Sequence, residues 1–196
     1  MLILTLFACS SAAILATVNS LTKDRIAQEV VNKVNSAIQD VLPEFDNNPF
    51  EEKKVVRLGG AEAVESSLFR ESTPDSLTFY PATKNGELVG MAVETFTNQG
   101  FSGRITVMVG FLPDGTINKT SVIAHAETPG LGDKIEASKS DFGKQFEGKS
   151  PETFRLAVKS DGGDVDAITA STITTRAFCD ALIRAYNEYM NLNKTN

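Results

Sequence analysis

Four apolar runs separated by turn signals constrain this 196-residue chain more than any other feature. Leu77 to Ala82, Leu88 to Thr95, Arg104 to Leu112 and Ile117 to Ala126 read as strands, with Lys84-Asn85-Gly86 and Asp114-Gly115 as hairpin turns. Links this short join neighbouring strands in antiparallel fashion, which predicts a meander. Lys134 to Phe146 is expected to be helical but irregular, Phe154 to Val158 to form a further strand, and Asp161-Gly162-Gly163 to turn the chain. The predicted fold class is α+β, a twisted antiparallel sheet packed with helices.

A helix from about Ile173 to Asn191 closes the chain. Its apolar residues Ile173, Ala177, Phe178, Ala181, Leu182, Ala185, Tyr186 and Tyr189 recur at helical spacing, so one face is expected to be buried. Directly before it stands Asp166-Ala167-Ile168-Thr169-Ala170-Ser171-Thr172, rich in hydroxyls and small side chains. The first turn of a helix leaves backbone N–H groups unpaired, and with the helix dipole these favour an anion. Thr172 lies at that point, Ala170 and Ser171 are small enough for a phosphate ester to approach, and Arg176 is placed to supply a countercharge on the next turn. An ordinary helix start, capped by Thr169 or Ser171, accounts for the same pattern.

The Asp166-to-Thr172 segment resembles the Asp-x-x-(Ser/Thr)-Gly-Ala-Thr flavinylation motif of the FMN-binding domain in the G subunit of Rnf electron-transport complexes. The resemblance implies that the Thr172 hydroxyl is esterified to the phosphate of FMN. It also implies that Asp166 belongs to the motif read by a flavin transferase, with Thr169, Ala170 and Ser171 around the attachment point. That enzyme would move FMN from FAD in a magnesium-dependent reaction. Ala170 replaces the usual glycine and Ser171 the usual alanine, and both remain small. Spacing alone leaves Thr169, Thr174 and Thr175 open as alternative acceptors.

His125-Ala126-Glu127-Thr128-Pro129-Gly130-Leu131-Gly132 is similar to the His-x-Glu-Thr-Pro-Gly-Leu-Gly signature of the same family. Read physically, it is a strand that delivers Glu127 and Thr128, followed by a tight turn at Gly130 and Gly132 where backbone can approach a ligand. Such a loop suits the polar edge of an isoalloxazine, with Leu131 over its face. A plain connecting turn is the alternative. The only histidine, His125, is assigned no chemistry. A third segment, Gly100 to Phe111, resembles the Gly-Tyr-x-Gly-x-Ile stretch that opens a core strand in this family, and doubles as a glycine-rich hairpin.

Met1 to Thr22 carries no charge and is largely apolar as far as Val18, close to the roughly 20 residues that cross a bilayer. A single transmembrane helix is therefore expected over residues 1–22. A cleaved signal peptide begins with basic residues, and none precedes Lys23. Residues 23–50 are expected to be a connecting helix, Asp24 to Val41, and a linker containing Pro43 and Asp46-Asn47-Asn48-Pro49. Residues 51–196 then form the FMN-binding domain, on the periplasmic side as the family implies.

The net charge of −6, with no basic cluster, argues against a nucleic-acid partner. Cys9 and Cys179 are too few for an iron–sulfur cluster. No dinucleotide fingerprint, Walker loop or zinc spacing occurs, and no substrate acid–base pair is evident. The resemblance therefore implies a covalently flavinylated electron carrier of the inner membrane, a redox subunit not catalytic alone. It would partner other membrane subunits of an Rnf complex coupling ferredoxin and NAD to ion translocation. The C subunit of the sodium-translocating NADH:quinone reductase is the alternative. A non-redox anchored binding or scaffold protein is the other.

Overall fold

Asn85 and Gly86 fix the first hairpin, because both adopt positive φ (54° and 82°), as a two-residue type I′ turn requires. In the computed structural model, which describes residues 2–57 and 76–195, this turn joins β2 (Ser76–Lys84) to β3 (Glu87–Gly100). Phe101 and Ser102 form an equally tight tip between β3 and β4 (Gly103–Phe111), with Gly103 at φ 117°. Gly115 turns β4 into β5 (Ile117–Ala124), and the Thr116 N–H donates to the Asp114 carboxylate at 2.9 Å. Together with β1 (Lys54–Arg57) these strands make a five-stranded antiparallel meander in the order β1-β2-β3-β4-β5.

One helix, α2 (Thr172–Thr195), packs across β3 and β4. Ala177, Ala181 and Ala185 repeat every four residues and are fully buried, so the helix backbone lies close to the sheet. The Thr95 hydroxyl donates to the Ala181 carbonyl at 3.1 Å, and the Thr97 hydroxyl to the Asp180 carboxylate at 2.8 Å. Phe178 meets Phe142 and Phe146, with ring centroids 5.3 and 5.5 Å away, and seals the core beside Val93, Ile105, Val107 and Val109. Cys179 is buried there, which pushes its thiol up to about 12 and keeps it unreactive.

The expected helix at Lys134 to Phe146 is two short 3-10 turns, Gly132–Ile135 and Phe142–Phe146. The expected strand at Phe154 to Val158 reduces to a single parallel bridge, Val158 to Val165, because Arg155 and Ala157 bond within their own loop to Asp164 and Val165. Ile173, expected on the buried face, is 50 % exposed.

The N-terminal segments expected as span and connecting helix are one uninterrupted element, α1 (Leu2–Val41), which ends just before Leu42-Pro43 because the residue ahead of proline disfavours helical backbone. The expected span, Met1 to Thr22, starts outside the described residues. Among the described residues no helix is long and apolar enough to cross a membrane. Polar Ser10, Thr17, Asn19 and Thr22 dilute the apolar run, and the Ser10 and Thr17 hydroxyls bond back to the Phe7 and Ala13 carbonyls.

Two compact units divide the chain, Met1–Ser36, whose described residues are helical from Leu2, and Ala37–Asn196, which holds the sheet and α2. Within the second unit the end of α1 seats on the sheet face opposite α2. A Cβ on Gly110 would overlap the Val41 carbonyl oxygen, and the Asn118 amide donates to that oxygen at 2.7 Å.

Candidate functional site

The site is assembled around the first turn of α2. Ser171 N–H bonds to the Ile168 carbonyl at 2.9 Å, closing a turn in which Ala170 takes φ 62°. This left-handed conformation suits glycine, and on alanine it costs about 1–2 kcal/mol. Ala170→Gly is therefore expected to stabilise the protein by about 1 kcal/mol after the extra freedom of the unfolded chain is counted. A thermal melt should show Tm higher by roughly 2–4 °C for a chain of this size. An unchanged or lower Tm would show that the turn carries no strain.

The first α2 helical bond runs from Thr175 N–H to the Ser171 carbonyl at 3.0 Å. The N–H groups of Thr172, Ile173 and Thr174 lie ahead of that ladder, where they can receive an anion.

Four threonines crowd this turn, and their hydroxyls differ sharply. Thr175 is fully buried, and its hydroxyl donates to the Ser171 carbonyl at 3.0 Å while accepting the Ile168 N–H at 3.1 Å. Thr174 is buried and donates to the Glu127 carboxylate at 2.6 Å. Thr169 is exposed and faces a different cavity. Thr172 is half-buried, and among the described residues its hydroxyl has no hydrogen-bond partner.

Thr172 borders a cavity of about 340 Å³ formed by the β3–β4 tip, the loop after Glu127 and the start of α2. Glu127, Thr128, Leu131, Gly132, Ala170 and Ser171, all singled out from the sequence, line it with Thr172. Thr128 offers its carbonyl to the N–H groups of Leu131 and Gly132 at 3.2 and 3.0 Å, which folds the loop back on itself around Gly130 at φ 78°. Gly130 does not line the cavity; its positive φ makes the turn that puts Leu131 there. Three large apolar side chains stand open to solvent on the lining, Phe101 at 67 %, Ile173 at 50 % and Leu131 at 42 %.

Besides Thr169, two expected site residues lie elsewhere. Arg176 is held by Asp161 in a two-pronged ion pair at 2.7 and 2.8 Å and does not line the cavity. The guanidinium holds the Asp161 carboxyl below its usual range. Asp166 pairs with Lys159 at 2.7 Å and lines a neighbouring open cavity of about 380 Å³ with Thr169 and Gln145. Gln145 clamps the Asp166 backbone, accepting its N–H at 2.8 Å and donating to its carbonyl at 3.3 Å. Neither Gln145 nor the exposed tip residue Phe101 was identified as a site residue from sequence. The tip lay within a matched segment, and an aromatic between two glycines was the signal available.

His125 is structural. Its Nδ1 accepts the Glu127 N–H at 3.0 Å, so the proton sits on Nε2, which donates to Glu136 at 2.7 Å. That bond, with a smaller one from Ser138, holds the Glu136 carboxyl below the ordinary glutamate value of 4.5. A lowered folded-state pKa gives stability that is present above about 4.5 and disappears as the pH falls through the folded value. The stability gap between the native protein and Glu136→Gln is thus expected to be full near neutrality and to narrow below that point. A gap independent of pH in denaturant titrations would remove the carboxylate from this account.

An anion-receiving helix start with a free hydroxyl, beside an apolar-rimmed cavity, is what a phosphate-tethered aromatic cofactor requires. Residues 100–187 match the family model of the FMN-binding domain, which encloses every lining residue of this cavity. Residues 2–41 match the RnfG N-terminal region, the extent of α1. The fold and site thus define an FMN-binding domain that follows a long N-terminal helix. Over nearly its whole length the chain is similar to the G subunit of the ion-translocating oxidoreductase complex of Vibrio atlanticus, at 38 % identity covering 98 % of this chain and 89 % of the relative. The corresponding protein of Shewanella piezotolerans is 35 % identical over 96 % of this chain and 88 % of that protein. That of Erwinia tasmaniensis is 36 % identical over 92 % and 84 %. The chain belongs to the G-subunit family of ion-translocating oxidoreductase complexes.

Proposed function

We propose that this chain is the covalently flavinylated electron-carrier subunit of an Rnf-type ion-translocating oxidoreductase, with FMN joined through its phosphate to Thr172. The observation that carries the reading is the uncommitted Thr172 hydroxyl at a helix start, beside Thr174 and Thr175 whose hydroxyls are bonded and buried. The residues fit the group. Ala170 and Ser171 leave space for a phosphate ester, and the first-turn N–H groups offset its charge. Phe101, Leu131 and Ile173 offer an apolar rim to a flat ring, while Thr128, Gly130 and Gly132 set the polar backbone of the loop. When bound, the flavin supplies one-electron redox chemistry, and the protein orients it and limits water access.

In this reading Asp166, presented by Gln145 and Lys159, belongs to the surface that a flavin transferase reads during maturation. The N-terminal part of α1 associates the protein with the inner membrane beside the other subunits, and the FMN-binding domain lies on the extracytoplasmic side. The chain spans almost all of its Rnf-type relatives, which favours that complex over the quinone reductase. Co-production with an active transferase, followed by denaturing electrophoresis, should leave a fluorescent band at the chain's own mass. A dark band, with a control substrate labelled in the same cells, would overturn the proposal.

A further inference from the structure

We propose that Glu127 is a positioning residue that ties the three walls of the cavity together and, through its buried charge, lowers the reduction potential of the flavin held there. The inference rests on the flavin reading above. Glu127 is only 4 % exposed, yet it lies on the cavity lining. Its Oε1 accepts the N–H of Ser102, the residue after Phe101, at 3.0 Å. Its Oε2 accepts the hydroxyl of Thr174, two residues after Thr172, at 2.6 Å. Its own backbone leads directly into the loop that carries Leu131. One carboxylate therefore links each segment that contributes an exposed apolar side chain to the rim.

Glycines border it on two segments. A Cβ on Gly100 would stand 2.7 Å from Oε1, and one on Gly132 would stand 2.7 Å from Oε2 and 3.0 Å from the Thr174 hydroxyl. Gly132 thus gives up a side chain to admit this group, whereas a Cβ on Gly100 would first overlap the Gly103 carbonyl oxygen of its own hairpin. Both oxygens act as acceptors, the pattern of an ionised carboxylate, and among the described residues no basic side chain pairs with it. Its negative charge is left to hydrogen-bond dipoles. Charge interactions strengthen away from water, so an electron entering the cavity without a proton meets repulsion from Glu127. With its oxygens bonded to protein, Glu127 acts on the ring through this field and through the walls it sets.

The test is a reductive titration of the full-length, flavin-loaded protein in detergent, with dithionite as the electron source and indicator dyes fixing the poise. Glu127→Gln removes the charge while its carbonyl oxygen can still accept the Ser102 N–H. The Thr174 hydroxyl can turn to accept from the new amide. This variant is expected to load with flavin and to shift the oxidised-to-reduced ratio about tenfold toward reduced at fixed poise. For a one-electron couple that is about 59 mV to the positive side. Thr174→Val removes one donor and leaves the charge less shielded, so its midpoint should move the other way. Loaded Glu127→Gln protein with a wild-type midpoint overturns the inference. If that variant does not load, a midpoint in Thr174→Val that is unchanged or raised does the same. Wild-type protein that carries no flavin overturns the proposed function instead, a separate outcome visible before any titration.

Discussion

Thr172→Ala is expected to abolish covalent flavin while leaving the fold intact. Peptide mass spectrometry of protein made with an active transferase should find one FMN less a water on the native Thr172 peptide and none on the variant. The stability cost should be small, within about 0.5 kcal/mol, because the hydroxyl removed has no partner among the described residues. A hydroxyl that capped the helix would cost roughly 1 kcal/mol to remove. Thr172→Ser retains a hydroxyl at the same place and should retain labelling. Labelling of the alanine variant at Thr174 or Thr175 would mean that a buried, committed hydroxyl can be released, and at Thr169 that the neighbouring cavity holds the phosphate.

A large loss of stability is expected for Gly110→Ala. The added methyl would overlap the Val41 carbonyl oxygen and stand 2.7 Å from the Val41 carbonyl carbon, and backbone cannot step aside as a flexible side chain can. Moving the end of α1 outward would also break the 2.7 Å bond from Asn118 to the same oxygen. Overpacking of this kind costs about 1–3 kcal/mol and the lost bond about 1 more, so a total near 3 kcal/mol is expected. That lowers Tm by about 6–12 °C for a chain of this length. Gly143→Ala is the control, because its methyl would meet only the Thr120 hydroxyl, at 3.2 Å. Equal melting temperatures for the two variants would show that the helix end yields freely.

Much of the architecture could be read from local chemistry. Asn85-Gly86 and Gly115 adopt the positive φ their turns require, and those turn pairs between apolar runs located two hairpins. Strand β1 escaped because Lys54-Val55-Val56-Arg57 is too short to show alternation, and only its pairing with β2 makes it a strand. Ile173 obeyed the helical period but sits in the first turn of α2, where it is half exposed and lines the cavity. The threonine cluster was visible, yet which hydroxyls were already bonded depended on Glu127 and Ile168 and could not be read from spacing. Arg176 was assigned by proximity in sequence, and Asp161, fifteen positions earlier, claims it in space. Ala170 stood where the resembling motif has glycine, and the structure keeps the glycine conformation there.

The unequal standing of those threonines also bears on how simply a modifying enzyme can be built. Two of the four neighbouring hydroxyls are locked into the protein's own bonding, and a third faces away from the cavity. A transferase that merely recognises the surrounding surface would then deliver its phosphoryl group to one place, since the substrate has already withdrawn the competing nucleophiles. Site selectivity in such a system is a property of the folded acceptor. An unfolded chain, with all four hydroxyls equally free, should be labelled at mixed positions or not at all.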